Sequence, residues 1–507
     1  MIEKFKEIKD FEEEFDKKLD SIKLEIEEKQ KEYQEKVLDI SKVTQITEGL
    51  NEEEFKNFIK EPYAIIPTGK QEEWFVVVPK FIRMNLGWLD HTTETFNIFR
   101  INKFMKWLGN IPLDIERKFK FDLKIPLKIF NGMVLTGKEH QEETWNRYNK
   151  FLTRREGEDK IKIKQGYEFK LLAQLISDGI LPFIPKPVNE EDLKQNYEPK
   201  IDLRDYQRDA YNKFLEVGAV GIYWAYSGGK TFIGNYTGAK LKGYKLVIVP
   251  STTLKEQWEE RIKKYTPECK DEFIIITYQS FKNIESIMKK FRIEEFILTI
   301  FDECQHLPAN TYSRFATIKT KYRMGLSATP YREDGRTDYI FAFTGFPIGL
   351  SWESLIELGV LNVPDVRCFI VSDWRKKEEK LKELLQISKK TIIFCDSISI
   401  GERLSKSLQI PFIYGATNKR LEIIKEAETC IISRVGDEGL SIPEIKRVIE
   451  IDFLYGSRRQ EGQRLGRLFH GEEKGEHIIL MTEKEFEDYG KRLYAITEKG
   501  FKLEIIR

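Results

Sequence analysis

Val220-Gly-Ile-Tyr-Trp-Ala-Tyr-Ser-Gly-Gly-Lys-Thr-Phe-Ile233 is the stretch on which the fold turns. It passes from an apolar strand, Val220–Trp224, through a glycine-bearing loop into a helical pattern that begins at Thr231. A loop in that setting turns its backbone N–H groups toward phosphate oxygens, and the helix N-terminus adds its dipole. Ser227, Gly228 and Gly229 would form the cradle. Lys230 would reach the β- and γ-phosphates, and the Thr231 hydroxyl would help to hold Mg²⁺. The general P-loop pattern has glycine five residues before Gly229, where this chain has Trp224. The assignment therefore leans on the strand–loop–helix context.

Outward from the loop the texture is regular. Short apolar runs (KLVIVP, FIIIT, FILTIF, then TIIFC, CIIS and RVIEID) alternate with helical patterns from residue 200 onward. Strands buried on both faces and separated by helices predict parallel sheets. The charged stretch around 372–390 divides the series, so the spacing predicts two α/β domains in tandem. Asp302-Glu303 follows directly on the run Phe296–Phe301. Ligands of open parallel sheets sit at the carboxyl ends of strands, so paired acids there are well placed. Asp302 is assigned to Mg²⁺ and Glu303 to orienting or deprotonating the attacking water.

The chain has 507 residues, with 84 Lys and Arg against 83 Asp and Glu. That length predicts roughly three domains. A hydrophobic fraction of 41% excludes global disorder. No apolar stretch approaches the ~18 residues of a membrane span, and the first residues are not a signal peptide. Five dispersed cysteines without a CxxC pair predict neither a disulfide framework nor a structural metal site. These readings together predict a cytoplasmic, unsecreted protein with no membrane partner. The balanced charge carries no global signature of nucleic-acid binding, so any such role must be local.

Residues 1–44 read as an amphipathic helical segment. Residues 45–198 read as a mixed α/β accessory domain that binds DNA. Its basis is aromatics interleaved with cations, as in Phe99-Arg100, Lys103-Phe104 and Lys106-Trp107. The bland alternative is that those aromatics are core. Pro182, Pro185 and Pro187 predict an inter-domain linker over 182–200. The remaining boundaries are drawn as 199–345 and 346–507.

Motif order narrows the reading. Leu203-Arg-Asp-Tyr-Gln-Arg208 precedes the loop, and Ser251-Thr-Thr253 with Gln257-Trp258 follows it. Thr277-Tyr-Gln-Ser280, Asp302-Glu-Cys-Gln305 and Ser327-Ala-Thr-Pro330 come next. Ser433-Arg-Val-Gly-Asp437 and Gln460-Glu-Gly-Gln-Arg-Leu-Gly-Arg467 complete the series. It resembles helicase superfamily 2 across about 200–470. Arg332-Glu333-Asp334 matches the RED motif of the XPB helicase family, and Ile413-Tyr-Gly-Ala-Thr417 and Gly456-Ser-Arg-Arg-Gln-Glu461 are similar to XPB segments. The compact archaeal XPB-like helicases are the nearest fit.

The resemblance implies two tandem RecA-like domains with ATP in the cleft between them. It implies adenine recognition by Arg204 and Gln207, and further ATP contacts by Gln305 and Asp437. Ser327 and Thr329 would couple nucleotide state to domain movement. Gln463 and Arg467 would be the γ-phosphate sensor and arginine finger. DNA, single-stranded or forked, would meet Ser251, Thr252, Thr277, Ser280, Gly415 and Thr417, while Arg332, Glu333 and Asp334 probe separated strands. Taken singly, the hydroxyl residues read equally well as helix caps.

Three departures stand out. Gln305 takes the place of the family's usual histidine, and His470 that of a second arginine. The stretch Phe369–Thr391 is short for the thumb-like insertion. The implied activity is an ATP-dependent 3′–5′ DNA helicase or translocase in repair. The alternatives are a nucleotide-gated DNA scaffold that recruits a nuclease, and a branch-migration translocase without extensive unwinding. A nuclease or another repair protein is the partner class implied.

Overall fold

The computed structural model describes residues 63–67, 73–79, 86, 88–92, 96–102, 127–130, 132–178, 180–183, 185–307, 318–328, 337–350, 355–356, 358–417, 419–433, 444–453, 464–469, 474–493, 496 and 501–507. The amphipathic segment 1–44, and Lys103 to Trp107, lie outside them. The described chain forms two compact units that meet in sequence at 354/355.

The first unit opens with two antiparallel sheets. Strands β1 (Ala64–Pro67), β2 (Glu73–Pro79), β3 (Trp88–Thr92) and β4 (Phe96–Asn102) pair in the order β1-β2-β4-β3. Strands β5 (Lys128–Phe130), β6 (Met133–Leu135), β7 (Leu152–Glu156) and β8 (Lys160–Ile163) pair as β5-β6-β8-β7, beside helices α1 (Gln141–Tyr148) and α2 (Glu168–Ser177). The aromatic–cation pair of β4 has an ordinary structural role. Phe99 is buried, and the Arg100 guanidinium pairs with Glu73 at 3.3 Å while lying 5.1 Å over the Phe75 ring. Of the three aromatics named above, Phe99 is part of the core, and Phe104 and Trp107 lie outside the described residues.

A six-stranded, wholly parallel sheet follows, in the order β11-β10-β12-β13-β9-β14. Its strands are β9 (Ala219–Trp224), β10 (Lys245–Val249), β11 (Phe273–Thr277), β12 (Phe296–Asp302), β13 (Thr320–Ser327) and β14 (Phe346–Leu350). Helices α3 (Asp205–Val217), α4 (Lys230–Lys240), α5 (Thr252–Tyr265), α6 (Ile284–Phe291) and α7 (Thr337–Thr344) connect them. β9 and β10 are buried along their whole length, as strands covered on both faces must be. The first sheet extends past residue 345, because β14 pairs with β9.

The second unit holds a seven-stranded parallel sheet, ordered β17-β18-β16-β19-β20-β15-β21. Its strands are β15 (Asp365–Val371), β16 (Thr391–Cys395), β17 (Phe412–Ile413), β18 (Thr429–Ile432), β19 (Arg447–Asp452), β20 (Glu476–Thr482) and β21 (Leu503–Ile506). Ile393, Cys395, Ile431, Ile449, Ile451, Ile478 and Leu480 form the core on one side, closed by Leu381 and Leu404. Two parallel α/β sheets in tandem are the architecture that the run of buried strands predicted.

The proline-broken segment 182–200 differs from a free linker. It is a strap laid along the amino ends of the first sheet. Asp192 accepts the Tyr322 hydroxyl at 2.6 Å and pairs with Lys321 at 2.7 Å, while Asn189 N–H donates to the same tyrosine oxygen at 2.9 Å. Lys194 pairs with Glu272 at 2.6 Å, and Glu198 accepts the Tyr236 hydroxyl at 2.6 Å. Gly218, at φ +67°, closes α3 where a Cβ would lie 2.0 Å from the Lys186 carbonyl oxygen. Backbone bonds from Val188 N–H to the Leu215 carbonyl and from Lys194 N–H to the Lys240 carbonyl, both 2.8 Å, join these side-chain anchors along the extended path that proline favours. Composition alone cannot tell such a strap from a linker.

Candidate active site: the carboxyl end of the first parallel sheet

The loop after β9 has the geometry its sequence predicted. Ser227 (φ +67°) and Gly229 (φ +77°) both adopt the left-handed region on either side of Gly228. Such alternation turns successive N–H groups toward one side, and α4 starts immediately after with Lys230. The Lys230 ammonium donates to the carbonyls of Trp224 at 3.0 Å and Ala225 at 3.1 Å. Burial lowers its pKa, and the nearby charges of Glu303 and Asp302 offset part of that shift. Thr231 is half-buried in the first turn of α4.

Trp224, standing where a glycine was expected, is fully buried at the end of β9, edge-on to Tyr206 at 4.9 Å. Tyr206 in turn donates its hydroxyl to the Gly228 carbonyl at 2.9 Å. Gln207 accepts the Arg204 N–H at 3.0 Å and reaches the Gly229 carbonyl at 3.5 Å. A Cβ at position 229 would lie 2.2 Å from the Gln207 amide nitrogen, so only glycine permits this approach. The start of α3 is thus bonded to the loop, with the Arg204 side chain exposed beside it. Sequence reasoning missed Tyr206; its place between the two called residues of that motif was the available signal.

β12 and β9 flank β13, so the acids that end β12 lie across one strand from the loop. Asp302 and Glu303 are both buried. One Asp302 oxygen accepts the Trp258 indole N–H at 2.8 Å and the other the Glu303 backbone N–H at 3.0 Å. Burial, and then the charge of Glu303, push the Asp302 carboxyl up to about 6. Glu303 sits at φ +50°, a conformation that costs a non-glycine residue about 1–2 kcal/mol. Its carboxylate accepts the Gln305 amide N–H at 2.6 Å. The Gln305 amide oxygen accepts the Ser327 hydroxyl, also at 2.6 Å. Ser327, Gln305 and Glu303 thus form one buried hydrogen-bonded chain. Among the described residues the Gln305 amide joins two elements of its own unit.

The remaining predicted residues divide. Ser251 caps α5 by accepting the Leu254 N–H at 3.3 Å, and Thr252 beside it is exposed. The Thr277 and Ser280 hydroxyls bond each other at 2.9 Å. In the second unit, Thr417 accepts the Tyr414 N–H at 3.0 Å, and exposed Gly415 offers its carbonyl to Arg420 at 2.5 Å. Arg467 is 8% exposed on the turn Gly466–Leu468. Thr329, Arg332, Glu333, Asp334, Asp437, Gln463 and His470 lie outside the described residues.

The family described as ERCC3/RAD25/XPB C-terminal helicase matches residues 380–498, and the type III restriction enzyme res subunit family matches residues 200–332. Over residues 380–498 the chain is thus similar to XPB-type helicases. A Rad25 protein of Halobacterium salinarum is 29% identical to this chain over 351 residues, 60% of this chain and 58% of that relative. The "DNA 3'-5' translocase XPB2" of Sulfurisphaera tokodaii is 27% identical over 396 residues, 62% of this chain and 87% of its own. Subunit XPB1 of "General transcription and DNA repair factor IIH" in Arabidopsis thaliana is 27% identical over 360 residues, 58% of this chain and 47% of the relative. The chain thus spans under two thirds of the length of the Halobacterium relative.

Proposed function

We propose that this chain is a DNA-dependent ATPase that translocates 3′ to 5′ and separates DNA strands in repair. The observation that carries the reading is the Ser327–Gln305–Glu303 chain at the sheet's carboxyl end, beside Asp302 and the cradle of Ser227, Gly228, Gly229 and Lys230. A carboxylate held by a donated N–H near a phosphate cradle can orient a water and draw off its proton. Ser327 ends a different strand, so any shift there reaches Glu303 through one amide. On this reading Gln305 replaces the family's usual histidine as the link. Arg204 and Gln207 face the base, and Gln463 and Arg467 take the roles the family resemblance implies.

The donor set fits Mg²⁺. The Thr231 hydroxyl and the Asp302 carboxylate are hard oxygen donors, and this ion is held by few protein ligands together with phosphates. Among the described residues no cluster of three or more His, Cys, Asp or Glu could hold a metal unaided. When bound, the ion would neutralise charge on the phosphate oxygens.

DNA is proposed to meet Ser251, Thr252, Thr277, Ser280, Gly415 and Thr417, whose hydroxyls and amides engage phosphates without reading sequence. The test is ATP turnover of the purified chain with single-stranded, forked and duplex DNA and with RNA. Stimulation by DNA and not by RNA supports the reading; no stimulation by DNA overturns it.

A further inference from the structure

Two side chains converge on Asp302 from the two segments proposed to touch DNA. Trp258 lies seven residues beyond Ser251 on α5, about 10 Å along the axis. It is fully buried, and its indole N–H is bonded to the Asp302 carboxylate. The ring is wedged against α4, the helix that begins at Lys230. A Cβ at Gly234 would lie 3.0 Å from it, so glycine there lets the indole in. Tyr278, between Thr277 and Ser280, is 1% exposed and donates its hydroxyl to the Asp302 backbone carbonyl at 3.0 Å. One segment therefore holds the carboxylate of this residue and the other its main chain.

We infer that Trp258 and Tyr278 are positioning residues that transmit phosphate engagement at Ser251–Thr252 and Thr277–Ser280 to Asp302, so that DNA sets the placement of the metal-binding carboxylate. The inference rests on the DNA-dependent ATPase reading and deepens it. Helix α5 is a rigid lever: a displacement at its capped N-terminus moves the indole, whose hydrogen bond ends on Asp302. The tyrosine acts through the backbone of the same residue. The indole has a single N–H donor, and it is spent on Asp302.

The experiment compares turnover with and without forked DNA, and Mg²⁺ binding by calorimetry with and without the same DNA, in the full chain, in Trp258→Phe, in Tyr278→Phe and in the double variant. Each single change is expected to lower the ratio of DNA-stimulated to DNA-free turnover by about fivefold, the worth of one hydrogen bond. Each should also lower by a similar factor the gain in Mg²⁺ affinity that DNA produces, which a merely structural role would leave unchanged. Tyr278→Phe deletes a single oxygen and carries the test if the tryptophan variant is too destabilised to purify. A wild type stimulated by DNA alongside variants with an undiminished ratio overturns the inference alone. A wild type that DNA does not stimulate overturns the functional reading and this inference with it.

Discussion

Both parallel sheets bury a carboxylate at or near the carboxyl end of a strand, and the two are treated in opposite ways. In the second unit Glu450, on β19, accepts Arg464 at 2.5 Å, Arg492 at 2.8 Å and His477 at 2.9 Å, all fully buried. Arg464 also pairs with Asp396 at 2.6 Å and lies 4.6 Å over the Phe394 ring. The charges of Arg464 and Arg492 overcome the cost of burial and hold the Glu450 carboxyl well below the usual range. In the first unit Asp302 has a second carboxylate, Glu303, as its neighbour; the charges of Lys230 and Arg261 reach it, yet burial and the Glu303 charge push its carboxyl up to about 6. A buried acid whose charge is balanced by its own domain is a structural part. One whose surroundings disfavour its charge, as those of Asp302 do, is a place where a bound cation would relieve that cost. The contrast assigns Arg464, in the same motif as Arg467, to holding the second domain together.

The largest effects should fall on the unbalanced site. Glu303→Gln keeps the bond with Gln305 possible but removes the base, and Lys230→Ala removes the cation of the cradle. Each should lower DNA-stimulated ATP turnover by about 10²–10⁴-fold with secondary structure unchanged. A variant that retains wild-type turnover breaks the assignment. Next comes the balanced cluster. Arg464→Met leaves Glu450 buried with one partner fewer and should cost about 3–5 kcal/mol in urea unfolding of the second unit. A loss under 1 kcal/mol would show that Arg492 and His477 suffice.

Asp302→Asn should act in the other direction. Because the folded carboxyl is raised, its contribution to stability is present below the unfolded value and lost as pH rises through about 6. Replacing it should therefore stabilise the first unit at pH 8 by about 1–3 kcal/mol while abolishing turnover. Equal melting temperatures at pH 8 would contradict this. Glu450 runs the opposite way, its stabilisation present above the unfolded value and lost as pH falls. The smallest change is Tyr322→Phe, which frees the strap residues Asn189 and Asp192 and should cost about 1–2 kcal/mol.

Much of this was legible in the chain itself. The run Val220–Ile233 specified strand, phosphate loop and helix, because buried parallel strands are apolar throughout and only glycine accepts the turn at position 229. Motif order then brought Lys230, Asp302, Glu303, Gln305 and Ser327 into one reading before any coordinate was known. Pairing partners were beyond its reach. Gln305 could as well have faced a neighbouring domain, 182–200 could have been a free linker, and Trp258 and Tyr206 could have been plain core. The hydrogen bonds that decide these cases join residues 22 to 130 positions apart, as in Gln305–Ser327, Tyr206–Gly228, Trp258–Asp302 and Asp192–Tyr322. Local sequence sets the periodicity of each strand and the φ of each turn. Whether a buried charge is balanced or left waiting depends on what the fold brings beside it, and only the tertiary structure decided that.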